Sequence, residues 1–219
     1  MLTLSTSLCY QGTVDDKQPY HHGHLRRSLL EAALGLIAEA GPHGFTLREV
    51  ARRAGDSHNA PYRHFKDKDE LLAAVATEGF DKLTGRMLRA MSRATHPLAR
   101  FQQCGRGYVG FALASPQHYT VMFDMRESGA CSAELTAAGA RAFGALLGIV
   151  QECLSARVID VNDATSAALF AWALVHGIAK LAITGRLPVH SRAAVLRFTD
   201  SMLRKSYFGM APQPASHNR

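Results

Sequence analysis

The chain has few cysteines, and their spacing marks neither a disulfide framework nor a metal site. Its four cysteines, Cys9, Cys104, Cys131 and Cys153, lie far apart along the 219 residues. Disulfide frameworks and zinc sites repeat cysteines or histidines at short, regular spacings. The sequence therefore predicts no disulfide-stapled domain, no metal and no cofactor, and it favours a reduced, cytoplasmic protein.

Long apolar runs and alternating β-branched runs are scarce as well. No stretch reaches the roughly 18 uninterrupted apolar residues that a membrane-spanning helix needs. Ala, Leu, Arg and Glu dominate instead, and they favour helix. With 47% hydrophobic and 20% charged residues, the composition suits a soluble protein with a sizeable core. The expected fold class is all-α.

Acidic residues are outnumbered by basic ones, which gives a formal net charge of +7. Up to Glu70, however, basic and acidic residues are equal in number, so the whole excess lies beyond that position. Net charge therefore does not support nucleic-acid binding by the N-terminal part. A local basic face would suffice for such binding, and Arg and His outnumber the acids between residues 21 and 66.

The most informative stretch, residues 45–72, predicts two short helices joined by a tight turn and followed by a third helix. Thr46 is expected to cap the first helix, and Glu49, three residues further on, completes a capping box. Gly55 is suited to end this helix because glycine accepts a positive φ freely. Such a helix and turn predict the first half of a helix-turn-helix.

The second helix of that motif is expected to run from Ser57 to Phe65. Pro61 would then stand in its first turn or just past it, where a missing N–H costs least. In a helix-turn-helix the start of this helix enters the major groove of DNA, where small polar side chains reach base edges. The alternative left open by the pattern is an ordinary helical hairpin with a solvated polar face.

The same stretch resembles the N-terminal DNA-binding domain of TetR-family transcriptional regulators. The resemblance is carried by the run YRHFKDK at residues 62–68 and ELL at 70–72, preceded by Ala51 and Gly55 at matching positions. It implies base contacts from one group of residues and phosphate contacts from another. The implied DNA-binding residues are Ser57, His58 and Asn59 for bases and Thr46, Tyr62, His64 and Lys68 for phosphates, with Arg48 completing the set.

Helical periodicity organises the rest of the chain around one earlier helix and six later ones. The expected helices are 24–40 before the motif and 68–91, 98–114, a short one from 116, 132–154, 163–184 and 191–207 after it, with a loop at 126–130. The expected domains are a disordered tail at 1–19, a DNA-binding domain at 20–67, an effector-binding and dimerisation domain at 68–208 and a disordered tail at 209–219.

The helix at 163–184 is apolar nearly all round, so more than one of its sides must be covered. A second copy of the chain is the expected cover, because two helices from each subunit would build an isologous four-helix interface. The residues expected at this interface are Phe170, Ala173, Leu174, Gly177, Ile178, Leu181, Val195, Phe198 and Met202.

The segment WALVHG at 172–177 resembles a signature of one TetR-type C-terminal domain, and PQHYTVMF at 116–123 fits the same branch. The resemblance implies a homodimeric regulator, with a repressor expected, that binds a palindromic operator and is released by a small apolar molecule. The expected pocket residues are Tyr108, Phe111, Tyr119, Met122, Phe123, Phe143, Leu147, Trp172 and His176. For each of them a plain packed core is the alternative, since aromatic stripes at helical spacing are usually core.

Two other functions stay open at the level of sequence. A regulator or activator that binds DNA constitutively would need no ligand pocket. An all-helical enzyme would need a nucleophile or carboxylate placed beside a base, and the C-terminal half offers no such pair, no phosphate loop and no metal-ligand set. The sequence therefore predicts a protein that is not an enzyme.

Overall fold

The computed structural model describes residues 22–124 and 132–208, and the regular structure in these ranges is helical. The tails expected at 1–19 and 209–219 and the loop expected at 126–130 lie outside the described residues. The all-α prediction is confirmed. The helices are α1 (His22–Ala40), α2 (Leu47–Ala54), a 3-10 helix (Pro61–Arg63), α3 (Lys68–Met91), α4 (Pro97–Ala114), α5 (Pro116–Asp124), α6 (Ala133–Ser155), α7 (Ala164–Ile183) and α8 (Arg192–Phe208).

Helix α2 begins and ends as its sequence predicts. The Thr46 hydroxyl accepts the Glu49 N–H at 3.3 Å, and the Glu49 carboxylate accepts the Thr46 N–H at 2.7 Å. At the other end Gly55 has a φ of 75°, and the Asp56 N–H donates to the Ala51 carbonyl at 3.0 Å. Both ends are thus fixed by local bonds, which confirms the capping box and the glycine stop.

The second helix of the motif is shorter than predicted. In place of an α-helix from Ser57 to Phe65 there is a turn, closed by a 2.9 Å bond from the Ala60 N–H to the Ser57 carbonyl, and then the 3-10 helix. With Ser57 as N-cap, Pro61 occupies the first position at which an α-helix needs an N–H for its i→i−4 bond. The prediction was wrong because Pro61 stands one residue beyond the first three helical positions, whose N–H groups make no intrahelical bond.

Helix α3 connects the N-terminal head, formed by α1, α2 and the 3-10 helix, to the larger helical bundle. Its observed span equals the predicted one, and its N-cap Asp67 accepts the Glu70 N–H at 2.8 Å. It packs against α4, α5 and α6, while α4 also contacts α7 and α8. The buried residues form a cluster that extends from Leu25 in α1 to Leu203 in α8. The head is therefore joined to the bundle through continuous packing.

Helix α5 provides a second connection, because it contacts both α1 and α3. Its approach to α3 depends on Gly79: a Cβ at that position would lie 2.5 Å from the Met122 sulfur and 3.3 Å from the His118 Cβ. The flexible Met122 side chain could move aside for such a Cβ, but the His118 Cβ is fixed to the α5 backbone and lies in tight contact. Because α5 contacts α1, a displacement of α5 would directly affect the head.

Candidate DNA-binding surface and ligand cavity

Six of the eight side chains expected to contact DNA are exposed. They are Thr46 and Arg48 at the start of α2, and Ser57, His58, Asn59 and Tyr62 in the polar segment 57–62. Tyr62 is 51% exposed although it is a large aromatic residue, and so it is among the most exposed apolar side chains described. The turn that replaces the predicted helix thus still presents its polar groups to solvent.

The basic residues around this segment differ in how they are paired. Arg53 donates two bonds of 2.7 Å to the Glu39 carboxylate and so ties α2 to α1. Arg48, Arg52 and Arg63 are exposed, and the described residues hold no salt-bridge partner for them. Basic and acidic residues are equal in number up to Glu70, but the head still has a local excess of arginines without salt-bridge partners beside the polar segment.

Three of the expected DNA contacts also have structural contacts within the head. The Lys68 ammonium donates to the Phe45 carbonyl at 2.8 Å and lies 4.3 Å from the centre of the Phe45 ring, and burial lowers the pKa of Lys68. The Thr46 hydroxyl belongs to the capping box described above. His64 is half-buried beside Phe65. Lys68 and Thr46 thus stabilise the head, and any phosphate contact would come in addition.

A contact that the sequence analysis missed fixes the end of the polar segment. The guanidinium of Arg26 in α1 lies 5.5 Å from the centre of the Phe65 ring, and Phe65 is buried. Neither this pair nor Arg53 with Glu39 follows a helical repeat, since each joins residues on different elements. Spacing along the chain therefore gave no signal for them.

The helical bundle encloses an apolar cavity of about 610 Å³ between α3, α4, α5, α6 and α7. Four of the nine predicted pocket residues line it: Tyr108, Phe123, Phe143 and Trp172. The other lining residues are Phe80, Leu83 and Met87 of α3 and Gly139, Ala142 and Leu146 of α6. No charged side chain is among them.

The remaining five predicted pocket residues do not line this cavity. Phe111 is buried in the core, Met122 lies against Gly79, and Leu147 is half-buried outside the lining. Tyr119 and His176 lie behind the wall, where they contact Tyr108. Periodicity identifies the inner face of a helix, but in a bundle it does not tell which part of that face meets a void, and so five of the nine residues lie away from this cavity.

Tyr108, Tyr119, Trp172 and His176 form a hydrogen-bonded cluster at one end of the cavity. The His176 Nδ1 lies 3.1 Å from the Tyr108 hydroxyl and 2.9 Å from the Tyr119 hydroxyl. The Trp172 indole N–H donates to the Tyr108 oxygen at 3.2 Å. Burial raises the pKa of Tyr108 to about 12, so this hydroxyl is neutral at physiological pH.

The α5 residue Phe123 joins this cluster to the cavity. Its ring centre lies 4.6 Å from that of His176 and 4.9 Å from that of Tyr119, and it also lines the void. A molecule that fills the cavity on the side of Phe123 therefore contacts α5, the helix that packs on α1 of the head.

Helices α6 and α7 leave much of their apolar surface uncovered. By length and composition both could cross a membrane, with mean hydropathies of 1.3 and 1.6, but core helices of soluble proteins pass the same test. Here each packs against other helices of the bundle. Only 28% of the residues in the apolar window of α6 and 33% of those in α7 are buried, so this surface needs a cover.

On α7 the uncovered residues form a stripe that includes part of the predicted interface. Phe170 is 53% exposed and Leu181 is 42% exposed, with Ala173 exposed and Gly177 half-buried between them. Leu174, Phe198 and Met202 are half-buried. Ile178 and Val195, which were also expected there, are instead buried within their own subunit. Ile178 faces inward because α7 packs on α4 and α6, and Val195 faces inward because α8 packs on α4, so these two side chains are not free to contact a second copy.

The described residues include no group of three or more histidine, cysteine or acidic side chains placed to hold a metal ion. Cys104 and Cys153 are buried free thiols. Burial raises the pKa of Cys104 to about 12 and that of Cys153 to about 11, so both thiols are protonated at neutral pH.

The capped α2, its glycine turn and the polar segment that follows define an all-helical protein of the helix-turn-helix class. Residues 29–75 match the family model described as bacterial regulatory proteins, tetR family. Residues 101–205 match the model described as the tetracyclin repressor-like, C-terminal domain.

Individual relatives agree with these matches. The HTH-type transcriptional repressor Rv3405c of Mycobacterium tuberculosis is 37% identical over 68 residues, which cover 31% of this chain and 36% of the relative. A solved protein with unknown function from Rhodococcus sp. RHA1 is 37% identical, covers 90% of this chain and 100% of its own, and has a TM-score of 0.78. AibR in complex with isovaleryl coenzyme A and operator DNA shares the fold at 20% identity, with 83% and 97% coverage and a TM-score of 0.65.

The chain belongs to the TetR family of bacterial regulatory proteins. The resemblance described from the sequence is thereby confirmed. The family consists of transcriptional regulators, so the alternative of an all-helical enzyme is set aside.

Proposed function

We propose that this protein is a cytoplasmic transcriptional repressor that binds a palindromic operator as a homodimer and releases it when a small apolar molecule enters the bundle. The observation that carries the proposal is the exposed polar segment Ser57, His58 and Asn59 beside cations without partners, on a head packed against the wall of an apolar cavity. The curated relative supports the operator, although its match covers only 36% of that protein.

The geometry of the head gives each residue group a role on DNA. Ser57, His58 and Asn59 are small, exposed and polar, as base-reading side chains in the major groove are. Arg48 and Tyr62 flank them and would contact phosphates, which fix register without reading sequence. Two such heads related by a two-fold axis match half-sites about 34 Å apart or a multiple of that distance.

The ligand response follows from the position of α5. This helix contacts α1, and its Phe123 lines the cavity. A ligand that fits a cavity with a displaced Phe123 favours a different position of α5 and of the head. The loss of operator affinity is then limited by the difference in the ligand's affinity for the two conformations, with Phe123 displaced and with Phe123 in its present position. The structurally similar AibR, described with both an acyl coenzyme A and operator DNA, supports this arrangement of two sites in one chain.

The proposal is tested with the DNA that flanks the protein's own coding region, since such regulators often bind beside themselves. In a mobility-shift titration at low salt we expect a specific shift on one palindrome, which extracts containing apolar metabolites reverse. A monomeric protein that shifts no palindrome would contradict the proposal. A specific shift that no extract reverses would instead favour the constitutive DNA-binding regulator.

A further inference from the structure

The lining of the cavity limits the chemistry of what can occupy it. Its volume of about 610 Å³ falls within the range of about 300–1,000 Å³ that is usual for sites of small-molecule ligands. All ten lining residues are uncharged, and five of them are aromatic. An ionised group moved from water into such a lining loses its hydration without gaining an ion partner, which is strongly unfavourable.

One charged pair next to the lining does not change this conclusion. Asp81 follows Phe80 in α3, and Arg141 precedes Ala142 in α6. Their side chains bind each other at 2.6 Å, and both are about half exposed. These two charges thereby neutralise each other, so neither residue offers a free ion to a ligand.

One hydroxyl group remains as the polar anchor. Among the lining side chains only Tyr108 and Trp172 carry an O–H or N–H group, and the Trp172 N–H donates to the Tyr108 oxygen. The Tyr108 proton has the His176 Nδ1 as an acceptor at 3.1 Å. The Tyr108 proton would be available to a ligand only if another group could donate a hydrogen bond to the His176 Nδ1.

Tyr119 is that other donor. Its hydroxyl lies 2.9 Å from the same Nδ1 and 3.3 Å from the His176 carbonyl oxygen, so it can donate to either atom. When Tyr119 donates to Nδ1, Tyr108 can turn its proton toward the cavity and His176 stays hydrogen-bonded. No buried polar group is then left unsatisfied, which would otherwise cost about 1–3 kcal/mol.

We propose that the cavity binds an uncharged, mainly apolar molecule with one acceptor oxygen, a ketone, ester or hydroxyl oxygen, which accepts a hydrogen bond from Tyr108. Free carboxylates are excluded from the cavity. The inference deepens the proposed function, because it names the chemical class of the effector, but binding to the cavity is measured without DNA.

Trp172 makes a direct experiment possible, because it is the only tryptophan of the chain and lines the cavity. Three probes with the same two phenyl rings are titrated into the full-length protein while Trp172 fluorescence is followed: benzophenone with a carbonyl, diphenylmethane without an oxygen, and diphenylacetate with a carboxylate. We expect benzophenone to bind about tenfold more tightly than diphenylmethane, the value of one hydrogen bond, and diphenylacetate not to bind at all.

Two variants locate the hydrogen bond. Tyr108→Phe keeps the ring and removes the hydroxyl, so it should bind benzophenone and diphenylmethane with equal affinity. Tyr207→Phe makes the same chemical change on α8, away from the cavity lining, and should keep the tenfold preference. Thermal unfolding of each variant shows that it is folded under the conditions of the titration.

Three results would overturn the inference: diphenylacetate binding as tightly as benzophenone, an unchanged preference in Tyr108→Phe, or no response of Trp172 to any probe. The proposed release from DNA is judged separately by adding benzophenone to an operator complex. If benzophenone binds as expected and the complex persists, the class of ligand stands and the ligand-controlled release fails.

Discussion

Asn59 and Tyr62 are both exposed on the head, but the proposed interface gives them different roles. An amide can read a base edge with two hydrogen bonds, whereas a tyrosine hydroxyl on a phosphate reads no sequence. We therefore expect Asn59→Ala to lose roughly 1–3 kcal/mol on the preferred operator and to relax the preference at one position of each half-site. Binding to variant operators in mobility-shift assays measures both effects.

Tyr62→Phe should behave differently, with a similar fractional loss on every sequence. Arg204→Ala on α8 is a suitable control, because it removes an exposed charge outside the head. If neither Asn59→Ala nor Tyr62→Phe changed affinity beyond this control, the assignment of the polar segment to DNA would be wrong.

We expect His118 on α5 to make the stability of the protein depend on pH. Burial, together with the Lys82 ammonium 3.3 Å from its Nε2, lowers the pKa of His118 below the usual value of about 6.5, although Glu78 opposes the shift from 3.5 Å. Below about pH 6.5 the unfolded chain therefore binds a proton that the folded chain does not, and the free energy of unfolding decreases as the pH falls.

We expect this loss between pH 7 and pH 5.5 in urea unfolding experiments, and a smaller loss in His118→Gln, which cannot be protonated. His190→Gln, at an exposed position, serves as the control and should follow the unmodified protein. Identical pH slopes for His118→Gln and the unmodified protein would show that this histidine does not carry the effect.

At the level of elements, the sequence predicted those features that depend on neighbours in the chain. The ends of α2 were predicted because Thr46, Glu49 and Gly55 act within a few residues of their own positions. The second helix of the motif was not, because the effect of Pro61 depends on its exact count from the N-cap. The cavity wall was predicted only in part, since the meeting of Phe80 of α3 and Gly139 of α6 at that wall depends on how the two helices pack.

Glycines show the same difference between local and packing effects. A Cβ at Gly107 in α4 would lie 3.1 Å from the Met87 Cα and 3.2 Å from the Arg86 carbonyl oxygen of α3, whereas a Cβ at Gly148 in α6 meets no atom within 4 Å. Alanine in place of glycine stabilises an unhindered helix by roughly 0.5–1 kcal/mol. At Gly107 this gain is opposed by contact with the α3 backbone, which cannot move aside as a flexible side chain can.

We therefore expect opposite effects from one substitution made at these two positions. Gly148→Ala should raise the free energy of unfolding by about 0.5–1 kcal/mol, and Gly107→Ala should lower it by about 1–3 kcal/mol as overpacked cores do. Chemical unfolding of both variants measures the difference. If Gly107→Ala were as stable as Gly148→Ala, the close approach of α3 and α4 would not be required.

For the whole molecule, the apolar stripe on α7 is the feature that a single chain does not explain. Its cover is proposed to be the same stripe of a second copy, since isologous contacts pair identical surfaces. Such a pairing would also set the distance between two heads, because continuous packing joins each head to its bundle. Dimerisation and operator binding should then be lost together.

Phe170→Glu tests this dependence. Phe170 is 53% exposed in one chain, so the change costs the isolated subunit little, but in the dimer it places two unpaired carboxylates in an apolar contact. We expect monomers in sedimentation velocity, an unfolding curve that no longer depends on protein concentration, and loss of the operator complex. Leu88→Glu replaces an equally accessible apolar side chain on α3, 50% exposed, and should remain dimeric and bind DNA. A dimeric Phe170→Glu with normal operator affinity would mean that another surface joins the subunits and that the α7 stripe has a different partner.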